Sequence, residues 1–454
     1  MPESTVRSGL TAELARYVQD LALASVPDGA RHAAKRALVN IVGCCVGGAR
    51  HEIVDVAIRA LLPFGGAPTS GLLGRPERSD ALSASLFNAL SSAAYSFDDT
   101  HAQTILHPTG AVAAALLALA GRKPLSGDEF LLALIVGVEV ASRVSKAISV
   151  APARGHIGWS QTGVAAGIGA AAGVAKAMRL DARAIGWAIG HAAQQASGLR
   201  VAHGSMSATM IFGNAAQGGL RSALLAQQGM AGPAAPLEGQ YGFTDLFAIE
   251  PHLAYLTDGL PMNFEVTALA YKPYPCGIVI HPAVDAAIAW HRGHQAPGDP
   301  IAGVRVRLHP SALALGFRRH PANALEAKVS LYHWIAVALA FGRAGLAEGQ
   351  QSVIDDPHVV RLRDAIEAEP DEQLTSEAAE LSVVCQSGRR TEELIQHCKG
   401  SVANPMTDVD LADKFRGQTG LLLNAAASTR LLDACWGIEK SRDVTELITL
   451  AQPG

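Results

Sequence analysis

Charge is scarce in this chain. Of its 454 residues only 17% are Asp, Glu, Lys or Arg, and aromatic residues make up just 5%. The formal net charge of −4 excludes a basic footprint for nucleic acid or for an anionic membrane surface. If the ligand is a polyanion, positive charge has to be gathered in a pocket, because the chain as a whole does not supply it. The cysteines (44, 45, 276, 385, 398 and 435) show no CxxC spacing and no framework pattern, so they read as reduced, buried thiols. The opening MPESTVRSGL lacks an apolar core, so no leader is expected. The longest apolar runs, 111–120 and 130–138, fall short of the ~20 residues that span a bilayer. The expectation is a soluble, cytoplasmic protein with no nucleic-acid or membrane partner. No phosphate loop, haem motif or zinc spacing occurs.

What is present is apolar and small. Hydrophobic residues account for 49%, with 45 glycines among them and around them. Such a composition fits closely packed helices and a buried interface between copies, and a homodimer is expected. The length exceeds one ordinary core, which predicts two domains. Helical patterning runs through 30–48, 111–120, 128–147, 162–178, 181–196 and 215–228, with short polar links and no clear strand between them. Gly167-Ile168-Gly169 with Gly173 mimics a dinucleotide loop, but no apolar strand precedes it, so close helix packing explains it better. The texture changes near Ala268. Residues 303–309, GVRVRLH, alternate as a half-buried strand should, and 381–386 with 390–396 flank Ser387-Gly388 as a hairpin. Helices are expected between them at 325–343 and 357–368, and again at 408–416 and 425–435. The fold class is therefore mainly α: a large all-helical domain built from 1–267 and 403–454, and a smaller α+β domain, 268–402.

Two clusters carry chemistry. The first is SSAAYSFDDTHAQTILHPTG, residues 91–110, where Asp98, Asp99, Thr100 and His101 arrive together and His107-Pro108 follows. Pro108 disfavours helix at His107 and permits it just after, so the imidazole sits at a bend beside an N-cap-like Thr109. Acids, a hydroxyl and two imidazoles at a helix mouth suit proton transfer; the plainer reading is that the aspartates cap and His107 only bends the chain. The second cluster is AYKPYPCGIVIHPA, residues 270–283. There Lys272, ahead of Pro273, is fixed in an extended backbone near Cys276 and His281.

Together with GNAAQGGL at 213–220 and NPMTD…KFR at 404–416, FDDTH…HPTG and KPYPCG…H resemble, in order and spacing, the MmgE/PrpD family. The similarity runs roughly from Ala12 to Leu432. That family includes 2-methylcitrate dehydratase, cis-aconitate decarboxylase and iminodisuccinate epimerase. The resemblance implies a helical domain closed by both chain ends, a lid, a site between them, homodimers, and cofactor-free chemistry on small di- and tricarboxylates. Breaking a bond beside a carboxylate loads that carboxylate with charge, which a lysine in a dry pocket can stabilise. On this basis Lys272 is the electrostatic anchor, and His107 and His156 are the acid/base groups. His156, in RGHIGWSQTG, matches a family position that contacts substrate; otherwise it caps or solvates a loop. His101 and His203 lie in equivalent-looking loops. Thr100 is placed to donate to a substrate carboxylate, and Asp99 to orient an imidazole. Tyr332, beside His333, falls where the lid of relatives approaches the site, or on a core face.

Two departures from the family bear on the substrate. Relatives usually read DFDD where this chain has Ser96-Phe97-Asp98-Asp99, and carry a lysine where this chain has Ala208. Losing an acid and a cation together keeps the site's charge balance but removes one carboxylate anchor. The expected activity is thus a lyase of dehydratase or decarboxylase type, though not a standard member. The alternatives are an epimerase of the iminodisuccinate type, or a family member without standard activity.

Overall fold

Helix Pro108–Ala120 runs through the centre of the molecule, with every one of its residues buried. Its sequence, PTGAVAAALLALA, is apolar all round, which only an interior helix can be. Helices Ala81–Ala93, Gly127–Ser149, Gly167–Ala177 and Met210–Gln227 surround it. The small residues set how near they come. A Cβ on Gly169 would lie 2.2 Å from the Gly137 carbonyl oxygen, and one on Gly137 would lie 2.4 Å from Val112 Cγ1. The Gly167–Gly173 pattern is thus a helix contact, as its missing strand predicted.

This computed structural model describes residues 9–294 and 299–453. The first eight residues, on which most of the leaderless reading of the N-terminus rests, lie outside them. Helix starts follow ordinary capping. Ser126 and Glu129 exchange a capping box at the head of Gly127–Ser149, and Asp80 accepts the Leu82 and Ser83 N–H groups ahead of Ala81–Ala93. Helix Asp28–Gly48 is buried over its second half, where helix Asp408–Thr419 packs on it and brings Phe415 to Gly43. The C-terminal segment therefore closes the helical body. This body is not free of strand: Ser70–Leu72 pairs with Arg75–Ser79, and two-residue ladders join Thr100–His101 to Leu269–Ala270 and Arg154–Gly155 to the strand Ala248–Glu250. These pairings are too short to leave a period in the sequence.

Residues 10–271 and 406–451 form one apolar core, and residues 276–385 form a second. The second is built on a four-stranded sheet in the order Arg390–Ile395, Ala379–Cys385, Ile301–Leu308, Ile366–Pro370. The expected hairpin is present, with Val384 opposite Arg390 and Gly388 at φ 86° in the turn. Ala379, Leu381, Val383 and Cys385 alternate inward against helix His281–His294, on which helix Leu331–Phe341 packs in turn. Trimming Leu381 to Ala would cost about 2–5 kcal/mol. Ile366–Pro370 is a strand, parallel to Ile301–Leu308, where the sequence predicted the end of a helix. Among the described residues no helix is long and apolar enough to cross a membrane.

Candidate active site

The site is assembled by a two-residue ladder. Thr100 pairs with Ala270 and His101 with Leu269 in antiparallel register. Continuing that register by two residues sets Asp98 opposite Lys272, and the two meet: Lys272 Nζ lies 3.4 Å from Asp98 Oδ1 and donates to the Ser96 carbonyl at 3.0 Å. Ser96 makes the turn with φ 51°, a left-handed conformation few non-glycine residues adopt. Both charged groups are buried, with 1% and 2% of their surface exposed. From behind, Lys414 of the returning C-terminal helix donates to the Phe97 carbonyl at 2.6 Å and to Asn40 Oδ1 at 2.7 Å, pinning the same loop.

His107 stands at the head of helix Pro108–Ala120, its N–H donated to Thr162 Oγ1 at 3.0 Å. Thr162 opens a π-turn, Thr162–Ala166, ahead of helix Gly167–Ala177. Around His107 Nδ1 stand the Asp99 carbonyl oxygen at 2.8 Å, Asp98 Oδ2 at 3.1 Å and Thr100 Oγ1 at 3.2 Å. Carbonyl and carboxylate oxygens only accept, so the neutral ring carries its proton on Nδ1. That proton goes to the Asp99 carbonyl. Asp98 Oδ2 therefore has no aligned hydrogen bond of its own and acts on the ring through charge. Nε2 is left without a partner among the described residues, on the wall of a cavity of about 130 Å³. That is more room than one water needs.

The charges around this cavity are not ordinary. Burial alone would raise the Asp98 carboxyl, but His107 and Lys272 outweigh it and hold Asp98 well below the usual carboxylate range. Its neighbour behaves oppositely. Burial lifts Asp99 to about 6, the Thr109 hydroxyl opposing the rise and the Asp98 charge adding to it. Thr109 is no cap, because its hydroxyl donates to Asp99 Oδ2 at 2.6 Å. His203 is pulled down to about 4 by burial and then by Arg200, and so stays neutral. Burial also brings Lys328 down to about 8. Lys272, Lys328 and Arg200 face Asp98 across the cavity lining, three cations to one carboxylate in a chain that is negative overall.

Of the residues singled out from the sequence, His107, Lys272, Ser96 and His203 line this cavity. Asp99 and Thr100 do not reach it; they support His107 from behind through the Asp99 carbonyl and the Thr100 hydroxyl. His101 is fully buried elsewhere, with Nδ1 on Thr104 Oγ1 at 2.9 Å and Nε2 on Glu265 Oε2 at 3.0 Å, and Lys146 pairs with the same glutamate. His156 is exposed on its loop, Nδ1 accepting the Gly158 N–H at 3.0 Å, and does not line the cavity. Tyr332 packs in the second core with the Arg319 guanidinium 4.2 Å from its ring centre, and His333 Nε2 bonds the Glu348 carbonyl. His281 is buried edge-on to Tyr274. Sequence reasoning passed over Arg200, Lys328, Gln161 and Thr162. Gln161 and Thr162 were hidden behind His156 in RGHIGWSQTG, whereas Arg200 and Lys328 belong to no motif. Isolation was the available signal, since Arg200 is the one charged residue between Arg183 and Arg221. Among the described residues no group of three or more His, Cys, Asp or Glu is arranged to hold a metal ion.

A mainly helical two-core protein with a buried lysine–aspartate–histidine site at the joint defines a recognisable class. A model of the MmgE/PrpD N-terminal domain matches residues 12–256, and one of the MmgE/PrpD C-terminal domain matches residues 274–438. The chain belongs to the MmgE/PrpD family. Among its relatives, cis-aconitate decarboxylase of Aspergillus terreus (strain NIH 2624 / FGSC A1156) is 26% identical over 99% of this chain and 97% of its own. Cis-aconitate decarboxylase of Homo sapiens is 25% identical over 97% of this chain and 94% of its own, and that of Mus musculus is 25% identical over 97% and 93%.

Proposed function

We propose that this protein is a cofactor-independent lyase, of decarboxylase or dehydratase type, acting on a small di- or tricarboxylic acid. The observation that carries the reading is His107, whose Nδ1 is tied to the Asp99 carbonyl while Nε2 is free at a cation-rich cavity. In decarboxylation the carbon–carbon bond breaks, its electron pair stays on the substrate carbon and spreads onto the neighbouring carboxylate, CO2 leaves, and the His107 imidazolium gives its Nε2 proton to that carbon. In dehydration the Nε2 lone pair takes the proton beside the carboxylate, the C–H electrons form the double bond, and hydroxide leaves as water by taking that proton back from the His107 imidazolium. Either way negative charge gathers on a carboxylate, and Lys272 with Lys328 offsets it where water is scarce. Asp98 stabilises the imidazolium without needing its proton.

The relatives named cis-aconitate decarboxylase support the lyase class. Ser96 and Ala208, both on the cavity wall, support a preference different from theirs. The protein is proposed to work as a homodimer in the cytoplasm. Exposed apolar side chains, Ile157, Leu199, Val201, Ile249 among them, lie on segments joined by the Trp159–Leu199 and Arg154–Glu250 pairings and offer a surface for a second copy.

Proton NMR in D2O with citrate, 2-methylcitrate, cis-aconitate, iminodisuccinate and simpler hydroxy acids tests the activity. An alkene formed or CO2 released supports the lyase. Deuterium entering an α-carbon without breakdown replaces it with an epimerase, and no change in any acid overturns it.

A further inference from the structure

The backbone of Arg200 is fixed on both sides. Its N–H donates to the Gly158 carbonyl at 2.9 Å, its own carbonyl accepts from His203 at 3.0 Å, and the Gly198 carbonyl accepts from Ser160 at 3.0 Å. The turn Arg200–Ala202 is thereby tied to the loop that leads into Thr162. Its side chain is half-buried on the same cavity wall as His107 and Lys272. There it has no hydrogen-bond or ion-pair partner among the described residues, and Nε in particular is buried and unsatisfied.

The two other cavity cations are engaged differently. Lys272 is held by Asp98 and the Ser96 carbonyl, and Lys328 donates to the Ala94 carbonyl. Burial draws the Arg200 guanidinium down, yet arginine does not give up its proton in proteins. A half-buried cation with no partner is costly, and a carboxylate entering the cavity would remove that cost. The planar fork matches a carboxylate edge with two parallel hydrogen bonds. His203, neutral beside it, adds no competing charge.

We infer that Arg200 is the specificity-determining anion clamp of this cavity, taking a carboxylate of the substrate remote from the bond that breaks and so selecting polycarboxylates over monocarboxylates. The inference rests on the carboxylic-acid reading above and names the group that enforces it.

The test is titration calorimetry at constant ionic strength with tricarballylate and butyrate, on wild type, Arg200→Gln, Arg200→Lys and His107→Asn. Wild type is expected to prefer tricarballylate, and Arg200→Gln to lose that preference by about tenfold or more, as for a charge-assisted pair. Arg200→Lys should keep part of it, and His107→Asn all of it. Because no contact is lost and an unpartnered cation is removed, Arg200→Gln should melt at or above the wild-type temperature. A fall of about 5 °C or more would make the residue structural and overturn the inference. A preference unchanged within about twofold in Arg200→Gln overturns it while leaving the lyase standing, as long as wild type still turns over an acid. Tricarballylate that fails to bind wild type, together with no turnover of any acid, overturns both.

Discussion

Asp98 and Lys272, 174 residues apart, meet at the joint between the two cores with Nζ 3.4 Å from Oδ1, while the other carboxylate oxygen lies 3.1 Å from His107. One buried carboxylate thus sits between a lysine and an imidazole, and removing Asp98 or Lys272 leaves the other's charge uncompensated. Lys272→Met or Asp98→Asn should each destabilise the fold by about 3–5 kcal/mol, the usual cost of breaking a buried pair. The double variant should cost clearly less than the sum, because it strands neither charge. Urea denaturation of the four proteins measures the coupling. Strict additivity would mean that the pair does not act as a unit.

Lys328 supplies a pH limit. Burial brings it to about 8, so raising pH through that value removes one of the cavity's cations. KM for a carboxylate substrate should climb above pH 8. Lys328→Met should show a KM raised about 10- to 100-fold already at pH 7, with the alkaline climb gone. A KM profile in the variant parallel to wild type would assign the alkaline limb to another group.

Asp99 makes the opposite contribution to stability from Asp98. Its folded value, about 6, lies above the ordinary carboxylate value, so its protonated form is favoured by folding. The stability it contributes is fully present below about pH 4 and is lost as pH rises through about 6. Asn at this position keeps an oxygen to accept from Thr109 and carries no charge to bury. Asp99→Asn should therefore gain stability on wild type between pH 4.5 and 7.5 in denaturant titrations. A gap independent of pH would show that Asp99 is ionised throughout.

Ser96 already occupies the left-handed conformation that aspartate tolerates, and Ala208 faces the cavity. The double variant Ser96→Asp with Ala208→Lys should fold normally and shift turnover towards cis-aconitate or 2-methylcitrate. Assays of both acids check this. No gain with either would count against the idea that these two positions set the substrate.

Much of this was readable because helices and polar clusters leave local marks. Pro108 after His107 fixed both a bend and a helix start, and the alternation of GVRVRLH marked the central strand of the sheet. The parallel strand Ile366–Pro370 left none, since IEAEP carries two glutamates and a proline and gains its place only from pairing with Ile301–Leu308. The roles of Asp98 and Asp99 were also hidden. Adjacent side chains point apart, and the ladder between Thr100 and Ala270 decides which one meets Lys272. His101 and His107 look alike in FDDTHAQTILH, but only the second faces the cavity, because the first is drawn into the helical body by Glu265. Arg200 and Lys328 draw their meaning from burial, which a one-dimensional reading of isolated cations does not supply.

The role proposed for His107 Nε2 is to move the substrate's proton. It is tested most directly by following turnover and solvent deuterium uptake by proton NMR in D2O, with wild type and His107→Asn at equal concentration on the acid the wild type converts. The expected result is loss of both by about 10²- to 10⁴-fold, with binding of the acid retained. A His107→Asn protein that binds, turns over and labels the acid as wild type does would contradict the account.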